Sequence, residues 1–133
     1  MTVRLIYLTI AMMLGALPPA IGQGAKIVDI VDLVVDAKSL AGQRITIRKC
    51  DIIGGGSFMM ACGRGAAVVN IDHETLEPEA LRRSMKWCHR ALPPDDIPEC
   101  VAAGVTGTVA VYGGSVSLTH AEIAWARPAS ASK

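Results

Sequence analysis

The feature that most restricts how this chain can fold is its four cysteines, set as two equal pairs: Cys50 and Cys62 stand 12 residues apart, and so do Cys88 and Cys100. Each pair brackets a turn signal, Gly54-Gly55-Gly56-Ser57 in the first and Pro93-Pro94 in the second. An even number of cysteines in a small exported chain reads as disulfides. Of the pairings that four cysteines allow, the spacing favours Cys50 with Cys62 and Cys88 with Cys100. Folding two strands about the three glycines sets Cys50 opposite Cys62 and Ile52 opposite Met60, on one face because side chains alternate along a strand. The glycines then supply the positive φ angles of a hairpin connection. A phosphate cradle would want a following helix and a basic residue nearby, whereas "SFMMAC" reads as strand. The second pair joins the end of a helical pattern to the start of a strand. Each closure contributes up to roughly 3 kcal/mol by restricting the unfolded chain. Zinc is the rival reading, set against the lack of a CxxC pair and the readiness of thiols to pair under oxidising conditions. Four free thiols in the denatured mature protein would end the disulfide reading.

The oxidising compartment is read from the start of the chain. Residues 1–22 carry Arg4, an uncharged apolar run from Leu5 to Leu17, then Pro18-Pro19 and small residues, the order of a secretory signal peptide. The run is shorter than the roughly 20 residues of a membrane-crossing helix. Ala20 and Gly22 suit the small positions before a cut, expected after Gly22; an uncleaved anchor is the alternative, disfavoured by the helix-breaking prolines. Without Arg4 the 13 basic residues fall to 12, against 12 acidic ones. The mature chain, expected to be one domain, then has no net charge. Proteins that coat nucleic acid usually carry a basic excess. On that ground nucleic acid is an unfavourable partner, and an unidentified protein or envelope component is expected instead. The expected location is the periplasm or the medium, with no transmembrane span after signal cleavage.

Residues 23–41 form a lead-in, apolar with spaced acids, in which "IVDLVV" fits either helix or strand. From Gln43, Ile45 and Ile47 share one face, while Cys50 and Ile52 resume in the other phase. A bulge or bend is therefore expected near Arg48-Lys49. "SFMMACGRG" and "AAVVNID" read as the next two strands. Pro78 suits a first helical turn, and Leu81, Met85, Cys88 and Leu92 follow at helical spacing as an apolar stripe. Val101, Ala103, Val105, Gly107, Val109 and Val111 alternate in the clearest strand of the chain. After "GGS", Val116 and Leu118 give way to Ala121, Ile123 and Trp125, a second phase slip around His120. Residues 127–133 make a small polar tail.

A bent strand, two more strands, a helix and two further strands is an order that resembles the OB-fold. "LAGQRITIRKC", "AAVVNID", "PEALRRSMKWC", "GVTGTVAVYGG" and "LTHAEIAW" carry the resemblance, which extends to exported bacterial OB-fold domains. It implies a mainly β fold, a five-stranded Greek-key OB-fold barrel over residues 42–126 with one helix between its third and fourth strands. Another small antiparallel barrel or sandwich with one helix is the alternative. The resemblance also implies a ligand surface on the face of the second and third strands and on the loops joining strands one to two and four to five. Those places hold Gly54 to Phe58, Met60, Arg64, and Tyr112 to Ser115. Phe58, Met60, Arg64 and Tyr112 are thus the candidate ligand-binding residues, although Phe58 and Tyr112 also fit hairpin packing.

Catalytic chemistry finds no foothold in the residues. Asp72-His73-Glu74 stands at a strand-to-helix junction, where Asp72 or Thr75 more simply satisfies free amides at the helix start. His89 fits the end of a helix, and His120 fits a partly buried, hydrogen-bonded residue at the bulge. Neither GxSxG nor HExxH occurs. The expectation is a non-enzymatic exported binding module with no catalytic residue, cofactor or metal. Oligonucleotide or oligosaccharide binding is the alternative, and a metal enzyme built on His73 or His120 the third reading.

Overall fold

The structure is a computed structural model and describes residues 24–55, 59–88 and 97–128. Residues 1–23, where a signal segment is expected, and Phe58, His89, Leu92 and the end of the tail lie outside the described residues. Strand β1 (Lys26–Val28) opens the chain, followed by helices α1 (Ile30–Val35) and α2 (Ala37–Leu40). Strands β2 (Arg44–Gly55), β3 (Met59–Arg64) and β4 (Ala67–Ile71), helix α3 (Pro78–Trp87) and strands β5 (Val101–Tyr112) and β6 (Ser115–Trp125) complete it.

The pairing of these strands closes a barrel. β2–β3, β3–β4, β5–β6 and β2–β5 are antiparallel, and β4–β6 is parallel. Five strands therefore run in a ring, β2-β3-β4-β6-β5, and the last returns to the first. This is the OB-fold, with α3 between the third and fourth barrel strands. β1 adds a short parallel strand to Ile45–Ile47 of β2, and further along β2 it is β3 that pairs, over Asp51 to Gly55.

Closure needs sharply bent strands, and the two expected phase slips are where they bend. Lys49 and His120 are the positive-φ residues other than glycine among the described residues, at 45° and 49°. Around Lys49 the inward set passes from Ile45 and Ile47 to Cys50 and Ile52, all four buried. Around His120 it passes from Val116 and Leu118 to Ala121 and Ile123, and the β5–β6 register shifts there. The sequence pattern missed a third slip. Ala102 is buried and Ala103 exposed, the reverse of the expected alternation, because the register also shifts between Ala102 and Gly104. Two alanines give no sign of which one faces inward.

Both disulfides form as the spacing suggested, Cys50–Cys62 and Cys88–Cys100, each with Cα atoms 5.6 Å apart. The hairpin register differs from the expected one. Cys62 faces Ile52 and Met60 faces Gly54, so the first disulfide runs diagonally from β2 to β3. Gly54 and Gly55 belong to β2 and do not turn the chain. Gly54 serves a close approach instead: its N–H donates to the Cys88 carbonyl (2.9 Å), and a Cβ there would lie 3.4 Å from both the Ser84 and Cys88 oxygens.

That approach also explains how α3 sits. Pro78 occupies its first turn as expected, but the buried stripe is Ala80, Ser84 and Cys88, while Met85 is exposed. Only small residues let a helix backbone come so near a strand, so Ala80 and Ser84 face it, Leu81 packs half-buried beside them and Met85 is turned outward. Arg83 ties the helix to the barrel rim. It donates to the carbonyls of Glu99 (3.1 Å) and Arg127 (2.7 Å) and stacks 4.2 Å over the Trp125 ring. Burial holds its guanidinium below the ordinary pKa, and the Glu99 carboxylate acts the other way; an arginine stays charged throughout. Arg83→Ala is expected to lower stability by about 2 kcal/mol, because it removes two charged hydrogen bonds and the cation–π stacking at once. Arg83→Lys should recover little, because one ammonium cannot reproduce the planar fork. Urea midpoints for the two variants check this.

The lead-in is helical where the sequence left helix and strand open. Asp29 caps α1 by accepting from the Val31 N–H (2.8 Å). Ile30, Leu33, Ala37 and Leu40 turn inward and join the barrel's single core cluster. Among the described residues no helix is long and apolar enough to cross a membrane.

Candidate ligand-binding face

Outside the barrel, β3, β4, β6 and β5 lie side by side and offer one open sheet surface. The registers place Ala61 beside Asn70, Asn70 beside Ser117, and Ser117 beside Ala110, one straight row across four strands. The next row contains Gly63 beside Val68, and Tyr112 beside Ser115. None of these side chains is charged. Their partners along each strand, Cys62, Val69, Ile71, Val109, Val116 and Leu118, point into the core. Alternation alone therefore fixes the outward set.

Three apolar groups stand up from this neutral floor: Met59, Val68 and Tyr112. Tyr112 is 67% exposed and leads into the two-residue loop Gly113-Gly114. Both loop glycines have positive φ, 54° and 87°, the geometry of a tight hairpin that residues with a Cβ resist. Ile53 of β2 lies across Gly63, whose added Cβ would meet the Ile53 Cδ1 at 3.0 Å. Ile53 thus covers this edge of the sheet, where Gly63 is buried.

At one corner the charge changes. β2 is unpaired on this side between the ends of β1 and β3, and Arg64 fills the notch by donating to the Lys49 carbonyl (3.4 Å). Arg48, Lys49 and Arg64 are all exposed there.

Of the four residues proposed for the surface, Arg64 and Tyr112 lie on its border and Phe58 is outside the described residues. Met60 is corrected: it is 5% exposed and faces the core between Gly54 and Ile71. Side chains alternate along β3, so Met60 shares the core face with Cys62 and its neighbour Met59 stands outside. The row Ala61, Asn70, Ser117 and Ala110 was missed, because small neutral residues carry no signal until strand pairing assembles them.

The histidine candidates have structural settings. Asp72 accepts from the Glu74 N–H (3.1 Å) and so caps the turn His73–Thr75. Thr75 Oγ1 accepts from the bulged His120 N–H (2.8 Å), and the His120 carbonyl accepts from Arg44 (3.3 Å). His120 marks the bulge, but its side chain is exposed rather than partly buried.

No family model matches the chain, and no curated protein matches it. Among solved structures it is similar to the crystal structure of the S. pombe Stn1–Ten1 complex, with a TM-score of 0.40 and 13% identity over 77% of this chain and 79% of that one. The expectation that sets nucleic acid aside in favour of a protein or envelope component is corrected here. It rested on net charge and on the few aromatics available for stacking, whereas an OB-fold barrel accommodates oligonucleotides as well as oligosaccharides. A zero sum over residues 23–133 also does not describe one corner, where Arg64 reaches the Lys49 backbone beside exposed Arg48.

Proposed function

We propose that this chain is a non-enzymatic OB-fold binding module of an oxidising compartment, exported through its N-terminal segment, that holds an extended oligosaccharide across the outer face of β3, β4, β6 and β5. One observation carries the reading: the row Ala61, Asn70, Ser117 and Ala110 is flat, uncharged and bordered by exposed Tyr112. An uncharged chain of rings meets such a face without stripping water from any ion. Asn70 and the serines offer neutral hydrogen-bonding groups, and an exposed tyrosine ring offers an apolar plane with a polar tip. The order of the N-terminal segment and the two disulfides support the compartment. The use of Asp72, Thr75 and the His120 backbone in holding the fold supports the absence of catalysis.

A second reading is favoured by the corner cations. Single-stranded nucleic acid would stack bases on Tyr112 and the apolar shelf, and hold phosphate at Arg64 and Lys49. Titrating isotope-labelled protein with neutral oligosaccharides and with single-stranded DNA, at low and high salt, separates the two. The proposal expects amide shifts along Ala61, Asn70, Ser117 and Ala110 with a sugar ligand, little salt dependence, and about tenfold weaker binding in Tyr112→Ala. DNA binding that falls steeply with salt and is lost in Arg64→Ala would install the second reading. Silence of the row toward both ligands would sink the face.

A further inference from the structure

A different surface, formed by the lead-in, carries an inference beyond the barrel face. α1 buries Ile30 and Leu33, yet Val31, Val34 and Val35 remain exposed, Val35 at 75%. Val31 and Val35 are one helical turn apart and share a face. Val34 and Val35 border a groove of about 440 Å³ that includes Asp36 and Lys38 of the lead-in and Val111, Gly114 and Val116 of the β5–β6 hairpin. Barrel closure does not require these valines, since Ile30, Leu33, Ala37 and Leu40 already join the core. An apolar patch kept in water without a folding role marks an interaction site.

Charge identifies the occupant. Asp29, Asp32 and Asp36 punctuate the same short segment, against a single cation, Lys38, on the two helices. Asp29 is engaged in capping. Among the described residues the ion pairs are Arg44–Glu122 and Arg82–Glu79, so Asp32 and Asp36 are not neutralised by a salt bridge. A second copy docking on this face through a two-fold axis would set aspartates against aspartates. An anionic lipid surface would be repelled in the same way. A ligand with basic residues alternating with apolar ones would satisfy both features.

We propose that the valine face of α1 and the groove beside it form a docking site for a cationic amphipathic segment of another protein. Its apolar side chains enter the groove between Val34, Val111 and Val116, and its lysines or arginines lie against Asp32 and Asp36.

The probes are a synthetic amphipathic Leu/Lys peptide and its Leu/Glu counterpart, titrated into the mature chain by calorimetry and by amide shifts. The Leu/Lys peptide should bind, with shifts at Val34, Val35, Val111 and Val116. Val35→Ser should weaken it about tenfold, and Asp32→Asn with Asp36→Asn should weaken it and flatten its salt dependence. Both sets of substitutions are at exposed positions, and circular dichroism confirms that the variants fold. Equal binding of the Leu/Glu peptide, indifference to Val35→Ser, or no binding at all would overturn the proposal. So would self-association, or capture by anionic phospholipid vesicles, that disappears in Val35→Ser.

Discussion

Opening both disulfides is expected to leave the domain largely unfolded at physiological temperature. Each bridge spans 12 residues and ties together cysteines that are almost completely buried. A closure of that size contributes about 3 kcal/mol through the unfolded chain, so losing two removes about 6 kcal/mol from a domain expected to hold only about 5–15 kcal/mol in all. The bridges act at different places. Cys50–Cys62 crosses a β2–β3 ladder that has its own hydrogen bonds. Cys88–Cys100 joins the end of α3 to the start of β5, where the helix is otherwise held by the Gly54–Cys88 backbone bond and by Arg83. Cys88→Ala with Cys100→Ala should therefore lower the urea midpoint and also loosen α3, seen as faster amide exchange at Gly54. Comparing that variant with the reduced protein, in which the sulfur volume remains, separates ring closure from the cavity left by truncation. A loss below about 0.5 kcal/mol for either bridge, within the range of an ordinary surface change, would end the view that it acts as a staple.

Such expectations were within reach of the sequence because disulfide spacing, strand alternation and helix entry are local signals. Ile45, Ile47, Cys50 and Ile52 announce a bend by changing phase, and the positive φ of Lys49 is that bend. The same holds for Leu118, His120 and Ala121. What escaped depends on partners distant in sequence. The β2–β3 register turns on the helix that Gly54 must receive, and nothing within "CDIIGGGSFMMAC" mentions Ser84 or Cys88. The stripe of α3 was misread in part for the complementary reason: Cys88 is buried and Leu81 packs against the core, but the close approach at Gly54 selects Ala80 and Ser84 where pattern favours Met85. The candidate face was legible only at its edges. Tyr112 and Arg64 stand out by chemistry, but Ala61, Asn70, Ser117 and Ala110 become a row only when β4 pairs in parallel with β6.

Gly107→Ala is expected to be the most damaging single methyl added to the barrel. Gly107 faces Ile45 on one side, and on the other it lies where β6 carries its extra residue, between the pairs Thr106–Glu122 and Thr108–Thr119. A Cβ there would fall 3.0 Å from the Leu118 Cβ, 3.2 Å from the Thr119 oxygen and 3.5 Å from the Ala121 Cα. None of these atoms can rotate away, so β6 itself would have to shift. Its bulge is held by Thr75 and Arg44 on the two polar groups of the His120 backbone, and movement strains both. Overpacking of this kind costs about 3 kcal/mol, and Gly107→Val should cost more. Gly104→Ala is the control: its Cβ would meet nothing nearer than the Ile47 oxygen at 3.6 Å, an ordinary contact. In a strand, alanine in place of glycine gains about 0.5–1 kcal/mol when no clash intervenes, so Gly104→Ala should be neutral or slightly stabilising. Urea unfolding of the two variants, with amide exchange at His120, decides the matter. Equal costs at the two positions would mean that Gly107 is not what lets the bulged strand close against β5.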